Sequence, residues 1–308
     1  MKALLSVELR RILARRVVRI AAVAGLLAIL IAGGTLFARS HRLDPAARRA
    51  LEQQVAADHQ AAIAACVNGE FGIPVDEVPP GETLEQFCRD FVGVPEIPDP
   101  TFHLIAFQTI AVNLSGLFIV LFAVLGATLI GAEWHAGTIT TELTWEPRRA
   151  RLHLAKVLAA AAFALVGFVA LQVLVGLAVT PAAVLRGVTR GMDASWLWST
   201  AGVVARGAVV AALAAAAGAS IAFIGRGTAV AVGVLFVYLA VLEPMFRGVK
   251  PWFQRWAVYD NAARFIMGQT AGFTQHGRTT VAAGVLIGMY VGVLAAASLA
   301  AFQRRDVT

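Results

Sequence analysis

The residues best suited to specific chemistry lie between positions 131 and 157, in a polar island flanked by two apolar segments. Residues 102–132 and 157–179 contain no Lys, Arg, Asp or Glu. Each segment is long enough to cross a bilayer, which takes about 20 residues, so the island is a loop on one face of a membrane. Its distinctive residues are Glu133, Gly137, Thr138, Glu142, Pro147, Arg148, Arg149 and Lys156.

The arginines of the island suit contacts with acidic groups on a partner or with lipid phosphates. Gly137 and Thr138 are suited to break the preceding span and start a short helix, with Thr138 as its N-cap. The alternative is that the arginines only orient the loop relative to the membrane. That alternative does not explain Glu133, Gly137 and Thr138.

Composition identifies an integral membrane protein. Of the 308 residues 58% are hydrophobic and 15% are charged, and the mean hydropathy is +0.73. Soluble domains are usually 45–50% apolar and about 25% charged. The net charge of +7 agrees with Lys and Arg kept in cytoplasmic loops. Nucleic acid is excluded as a partner, because no basic surface is interleaved with aromatic residues.

The apolar segments predict an all-α fold in a single transmembrane domain, residues 1–308. Six spans are expected, at about 17–38, 102–132, 153–179, 200–224, 228–243 and 279–302. Residues 180–199 are expected to form a loop, and Glu243-Pro244 is expected to end the fifth span.

The first 19 residues predict a basic amphipathic helix lying in the membrane interface. Leu5, Leu9, Ile12 and Leu13 share one helical face. With the N-terminus in the cytoplasm, the pieces 1–19, 133–156, 225–227 and 303–308 hold 13 Lys or Arg and 5 acidic residues. The positive-inside rule therefore puts both termini in the cytoplasm; the cell membrane is the expected location. Residues 244–278 then fall outside although they carry five Lys or Arg, and short helices dipping into the outer leaflet are expected there.

A polar insertion, residues 39–101, falls on the opposite, extracytoplasmic face and holds 11 acidic and 5 basic residues. Its first half is rich in helix formers, and a short helix is expected near 83–91, with Thr83 as its cap. The two cysteines, Cys66 and Cys88, both lie here. In an oxidising space they suggest a disulfide, and two free thiols are the alternative.

Sequence signatures of catalysis are absent. The chain has no Gly-Lys dipeptide, so it contains no nucleotide-binding P-loop, and neither H-E-x-x-H nor G-x-S-x-G occurs. The six histidines are scattered. We therefore expect no catalytic residues and no metal site.

Several polar or small residues lie inside the predicted spans. Gln108, Asn113 and Gln172 either line a substrate path or form interhelical hydrogen bonds. Gly284, Gly288 and Gly292 recur every four residues in the last span, which predicts a close helix-packing face within the chain or across a dimer.

The order of these features is informative. A basic helix and one span are followed by an outer loop, a second span, the charged island, four more spans and a basic tail. The island begins with Glu133, continues with Gly137-Thr138 and Pro147-Arg148-Arg149, and reaches Lys156 at the next span. This arrangement resembles the permease subunits of ABC-2 type ABC transporters. Two departures are Trp145-Glu146 before Pro147 and an unusually large outer insertion.

The resemblance implies a pore subunit that pairs with itself or with a similar permease. The island would then rest on a separate ATPase subunit, which binds ATP and Mg, and no cofactor is expected on this chain. An ion-coupled secondary transporter is one rival; it predicts buried titratable groups and inverted repeats. A non-transporting membrane sensor or anchor on the same fold is another.

Overall fold

The computed structural model describes residues 2–71, 82–95, 100–249, 251–268 and 278–304. These residues form twelve α-helices and no β-strand apart from one isolated bridge between His103 and Val188. The helices are α1 (Lys2–Ala14), α2 (Arg16–Arg39), α3 (Pro45–Val67), α4 (Leu84–Val92), α5 (Phe107–His135), α6 (Thr138–Trp145), α7 (Arg149–Arg186), α8 (Ala194–Gly225), α9 (Thr228–Phe236), α10 (Glu243–Val249), α11 (Val258–Met267) and α12 (Thr280–Arg304).

Six helical segments among the described residues are long and apolar enough to cross a membrane. They are α2, α5 with the short 3-10 turn before it, α7, α8, the continuous segment from α9 to α10, and α12. The prediction of an all-α, multi-pass membrane protein with six spans is therefore confirmed.

The third span is longer than predicted. α7 continues through Pro181 to Arg186, so the expected loop at 180–199 is wrong and the connection begins at Gly187. A proline removes one backbone hydrogen bond from a helix. Burial of Val179, Ala182 and Ala183 against the bundle keeps this stretch helical, because tertiary packing overrides local propensity.

The fifth span also continues past its predicted end. Residues Val237–Leu242 form a π-helix that leads directly into α10. Pro244 therefore lies inside a continuous helical segment, Thr228–Val249, two residues after the π-helix ends. The buried Glu243 accepts a hydrogen bond from the backbone N–H of Tyr259, at 2.7 Å, and so caps α11.

α5 and α8 cross in close contact. A Cβ atom added at Gly126 would overlap the carbonyl oxygen of Ala215, and one added at Gly218 would overlap that of Ala123. Only glycine allows this approach. By contrast, just 6% of the α2 span is buried, and α2 packs chiefly on α7, with Gly33 against Ala178.

The insertion contains a small helical hairpin with its own core. α3 and α4 pack together through Ile63, Cys66 and Cys88, and the sulfur atoms of the two cysteines are at bonding distance, 1.99 Å. Thr83 and Gln86 form a reciprocal capping box at the start of α4. Both predicted helices and the cysteine pair are thus confirmed.

The start of α8 has a well-formed cap. The Asp193 carboxylate accepts hydrogen bonds from the backbone N–H of Trp196, at 2.8 Å, and from the Ser195 hydroxyl, at 2.7 Å. These hydrogen bonds hold the pKa of Asp193 below its ordinary value.

Candidate functional site

Three carboxylates converge on one buried ammonium group at the end of the bundle that carries α6. The Lys156 Nζ atom lies 2.6 Å from Glu133 Oε2, 2.8 Å from Glu142 Oε2 and 3.2 Å from Glu8 Oε1. The Lys156 side chain is 1% exposed. Residues from α1, α5, α6 and α7 therefore meet at a single point.

Two arginines complete this group of ions. Arg11 of α1 pairs with Glu142, and Arg15, between α1 and α2, pairs with Glu133. Arg11 also lies 3.4 Å from Glu8. We call these six residues the ion-pair cluster: Glu8, Arg11, Arg15, Glu133, Glu142 and Lys156. Its three positive and three negative groups balance, as burial of charge requires.

The short connection between α5 and α6 positions two of the carboxylates. Gly137 adopts a left-handed conformation, φ 66°, and is the N-cap of α6. The prediction that Thr138 is the N-cap is wrong: Thr138 is the first helical residue, and its hydroxyl donates to the carbonyl oxygen of Glu133 at 3.3 Å. Ile139, 1% exposed, anchors α6 in the apolar core beside the cluster.

The arrangement is suited to mechanical linkage between helices rather than to covalent chemistry. Removing one partner from a buried ion pair leaves an uncompensated charge and costs about 3–5 kcal/mol. A displacement of α6 must therefore move α1, α5 and α7 with it or break contacts of that strength. Arg11 and Arg15 are only partly buried. Because water screens their ion pairs, these pairs contribute less free energy to the linkage than those of Lys156.

The surface beside the cluster is formed by the connection from α6 to α7. Trp145 is 86% exposed, and Pro147 and Arg148 are exposed beside it. Tryptophan and arginine are enriched among the residues that contribute most to protein–protein contacts. The predicted pair of arginines separates here, because the Arg149 guanidinium donates to the carbonyl oxygens of Phe302 and Gln303, at 3.1 and 3.3 Å, and so ties α7 to the end of α12.

The polar residues predicted for a substrate path do not converge. Gln108 donates to Ser199 of α8 at 2.8 Å. Gln172 is buried and donates to the carbonyl oxygen of Ala111 at 2.9 Å. Asn113 is exposed on the surface of α5. Gln108 and Gln172 thus form interhelical hydrogen bonds within the chain, which was the alternative to a substrate path.

The glycines of the last span also have different surroundings. A Cβ atom at Gly284 would lie 2.6 Å from the ring of Phe265 in α11, so this glycine permits close packing within the chain. At Gly288 and Gly292 no described atom lies within 4 Å. The regular spacing therefore supports one close contact within the chain and leaves two glycines on an open helix face.

Sequence reasoning missed Glu8, Arg11 and Arg15 as members of the cluster. Glu8 is the single acidic residue among the first 19, in a segment with six Lys or Arg, and this isolation was an available signal. A second missed contact joins buried His153 of α7 to Ser298 of α12, at 2.7 Å.

In the part of the chain that the structure describes, no group of three or more His, Cys, Asp or Glu side chains is placed to hold a metal ion. No protein-family model, curated protein or solved structure matches the chain.

Proposed function

We propose that this chain is the transmembrane permease subunit of an ATP-driven exporter of the ABC-2 type. α6 is its contact with a separate ATPase subunit, which binds ATP and Mg and carries out hydrolysis. Two permease chains, identical or similar, assemble with two ATPase chains in the cell membrane. ATP-driven movement of α6 tilts α5 and α7.

The ion-pair cluster is the observation that carries this proposal. Glu133 and Lys156 belong to the sequence motif that resembles ABC-2 permeases, and Glu142 lies in the same polar island. The two carboxylates meet in space around the Lys156 ammonium group. A helix of eight residues is thereby fixed to two membrane spans and to the N-terminal helix. A loop that transmits force must be fixed to the spans that it moves. A loop that only connects two spans does not require such ion pairs.

The proposed topology follows from the charges on each face. α1 lies in the cytoplasmic interface, with Leu5, Leu9 and Ile12 packed on the bundle. α6 and both termini are cytoplasmic, and the α3–α4 hairpin is extracytoplasmic. The exposed Asn113 faces the transport path between the two permease chains.

The partner contact can be tested by co-purification of a tagged chain in mild detergent. Arg149 is unsuitable for substitution because it holds α12. The test variant is therefore Trp145→Ala with Arg148→Glu, which alters exposed side chains only. The matched control is Trp198→Ala with Arg190→Glu, because these residues are also exposed but lie beside the start of α8, at the opposite end of the bundle.

We expect an ATP-hydrolysing protein to accompany the wild type and the control but not the test variant. Absence of any ATPase from well-folded wild-type protein would contradict the ABC assignment and favour a secondary transporter or a membrane anchor. Equal loss in both variants would show that α6 is not the contact site.

A further inference from the structure

Three arginines near the start of α2 remain outside the charge balance of the ion-pair cluster. Arg10, Arg16 and Arg19 are exposed, and no carboxylate in the described parts of the chain pairs with any of them. Since the cluster itself is neutral, the surface around residues 10–19 carries a net positive charge where α2 becomes apolar.

Two of these arginines line an open groove. Its first part, of about 740 Å³, lies between the junction of α1 with α2, the end of α5 and α6. Its wall includes Arg16, Val17 and Leu129, together with Arg11, Arg15, Glu133 and Glu142 of the ion-pair cluster. The adjoining part, of about 450 Å³, runs along α2 and is lined by Arg16, Arg19, Ile20, Val23, Ala24 and Leu27. The two parts share Arg16. All residues that line the second part belong to α2, so that part of the groove is an open face of one helix, basic at Arg16 and Arg19 and apolar towards Leu27.

The apolar part has the length of one lipid leaflet. From Arg16 to Leu27 a helix rises about 16 Å, at 1.5 Å per residue. The hydrocarbon core of a bilayer is about 30 Å thick, so half of it is about 15 Å. An acyl chain lying along Ile20, Val23 and Leu27 would therefore end near the bilayer midplane, with its head group beside the arginines.

We propose that this groove binds one anionic phospholipid, with its phosphate between Arg16 and Arg19 and an acyl chain along α2. Charge complementarity selects the ligand. A net negative head group is favoured over a zwitterionic one, whose own cation would face the arginines. The first turn of α2 adds to this preference, because no side chain caps it and helix N-termini attract anions. The inference requires only that the chain is inserted in a membrane, and it is independent of transport.

Native mass spectrometry of the delipidated full-length protein in detergent tests the proposal, with phosphatidylglycerol and phosphatidylcholine as probes. We expect one phosphatidylglycerol to bind at least tenfold more tightly than phosphatidylcholine. Arg16→Gln with Arg19→Gln should weaken binding about 25-fold, since each arginine near an anionic surface contributes roughly fivefold. The control Arg10→Gln with Arg190→Gln, which has the same net charge but lies outside the groove, should bind like the wild type.

A second variant tests the apolar half of the groove. Ala24→Trp fills this part and keeps both arginines, so it should also lose the lipid while retaining the wild-type elution volume in size exclusion. Equal binding of the two lipids, or equal loss in the control, would overturn the proposal. So would displacement of the lipid by millimolar inorganic phosphate, which indicates a simple phosphate site. Self-crosslinking of Val23→Cys would place a second copy in the groove and would also overturn it.

Discussion

Lys156 is the residue on which the proposed site most depends. Its ammonium group is the only cation of the ion-pair cluster that contacts all three carboxylates, and it is almost fully buried. Burial alone would destabilise this charge. The buried ammonium group is stable because three carboxylates surround it. Those carboxylates are in turn stabilised by its positive charge.

The substitution Lys156→Met should therefore lower stability strongly. We expect a loss of about 3–5 kcal/mol, because three acidic groups lose the ammonium group that they share. Thermal unfolding in detergent measures the change. The exposed Arg10→Met is the control and should alter stability by less than about 0.5 kcal/mol.

Adding Glu133→Gln to Lys156→Met should restore part of the lost stability, because it removes one of the uncompensated charges. If Lys156→Met and Arg10→Met unfold at the same temperature, the cluster contributes nothing to stability, and its proposed role as a mechanical junction is wrong.

The cluster shows which parts of a site a single sequence reveals. Glu133, Glu142 and Lys156 were identified because they share one polar island between apolar spans. Glu8 lies 148 positions from Lys156, and no periodicity or spacing connects residues so far apart. Arg148 and Arg149 look equivalent in sequence. Only the position of α12 distinguishes them, because Arg149 bonds to the end of that helix whereas Arg148 is exposed.

At the scale of helices, the crossing of α5 and α8 determines how tightly the bundle closes. Gly218→Val should destabilise the protein by 1–3 kcal/mol or more, because the new side chain would push α8 away from the backbone of α5. Gly288→Val is the matched control, since the space around Gly288 is open. Unfolding temperatures of the two variants in the same detergent provide the comparison, and a larger loss for Gly288→Val would contradict the packing described.

The α3–α4 hairpin should behave as a separate unit. Replacing both cysteines by serine removes a crosslink between positions 22 residues apart, which is worth about 3 kcal/mol in the chain-entropy model. Hydrogen exchange should become faster in α3 and α4 and stay unchanged in α5 and α8. Reduction of the wild type is the control and should give the same pattern, whereas faster exchange throughout the bundle would show that the hairpin supports the spans.

The sequence located all six spans, and the ends of the first and last within two residues; it misplaced ends of the third, fourth and fifth by four to seven residues. Hydropathy records the thickness of the membrane, so all six spans were found. Their ends depend on neighbours: Pro181 remains inside α7 because the surrounding residues are buried, and Pro244 is accommodated after the π-helix. Both prolines disfavour a helix, but packing of the neighbouring residues outweighed that preference.

For the whole molecule, the distribution of charge predicts orientation. The pieces on the α6 side hold 13 Lys or Arg against 5 acidic residues, and the insertion holds 5 against 11. Residues 244–278, on the outer side in this topology, hold 5 against 1. In a background with Cys66→Ser and Cys88→Ser, a cysteine at exposed Thr189 should react with a membrane-impermeant maleimide on intact cells. A cysteine at exposed Thr144 should react only after permeabilisation. The opposite pattern would place α6 and both termini outside the cell.

The sparse packing of α2 has a consequence for biosynthesis. Gly33 meets Ala178 of α7, which leaves the ribosome about 145 residues later, or roughly 7 to 30 seconds at 5–20 residues per second. During that interval α2 lacks the helix on which it chiefly packs. Its polar side chain Thr35 bonds to its own backbone, at the carbonyl oxygen of Ala32. Gln172, by contrast, bonds to α5, which has already been made. The first span can therefore stay in the bilayer before α7 is made. The polar groups of later spans bond to helices that have already been synthesised.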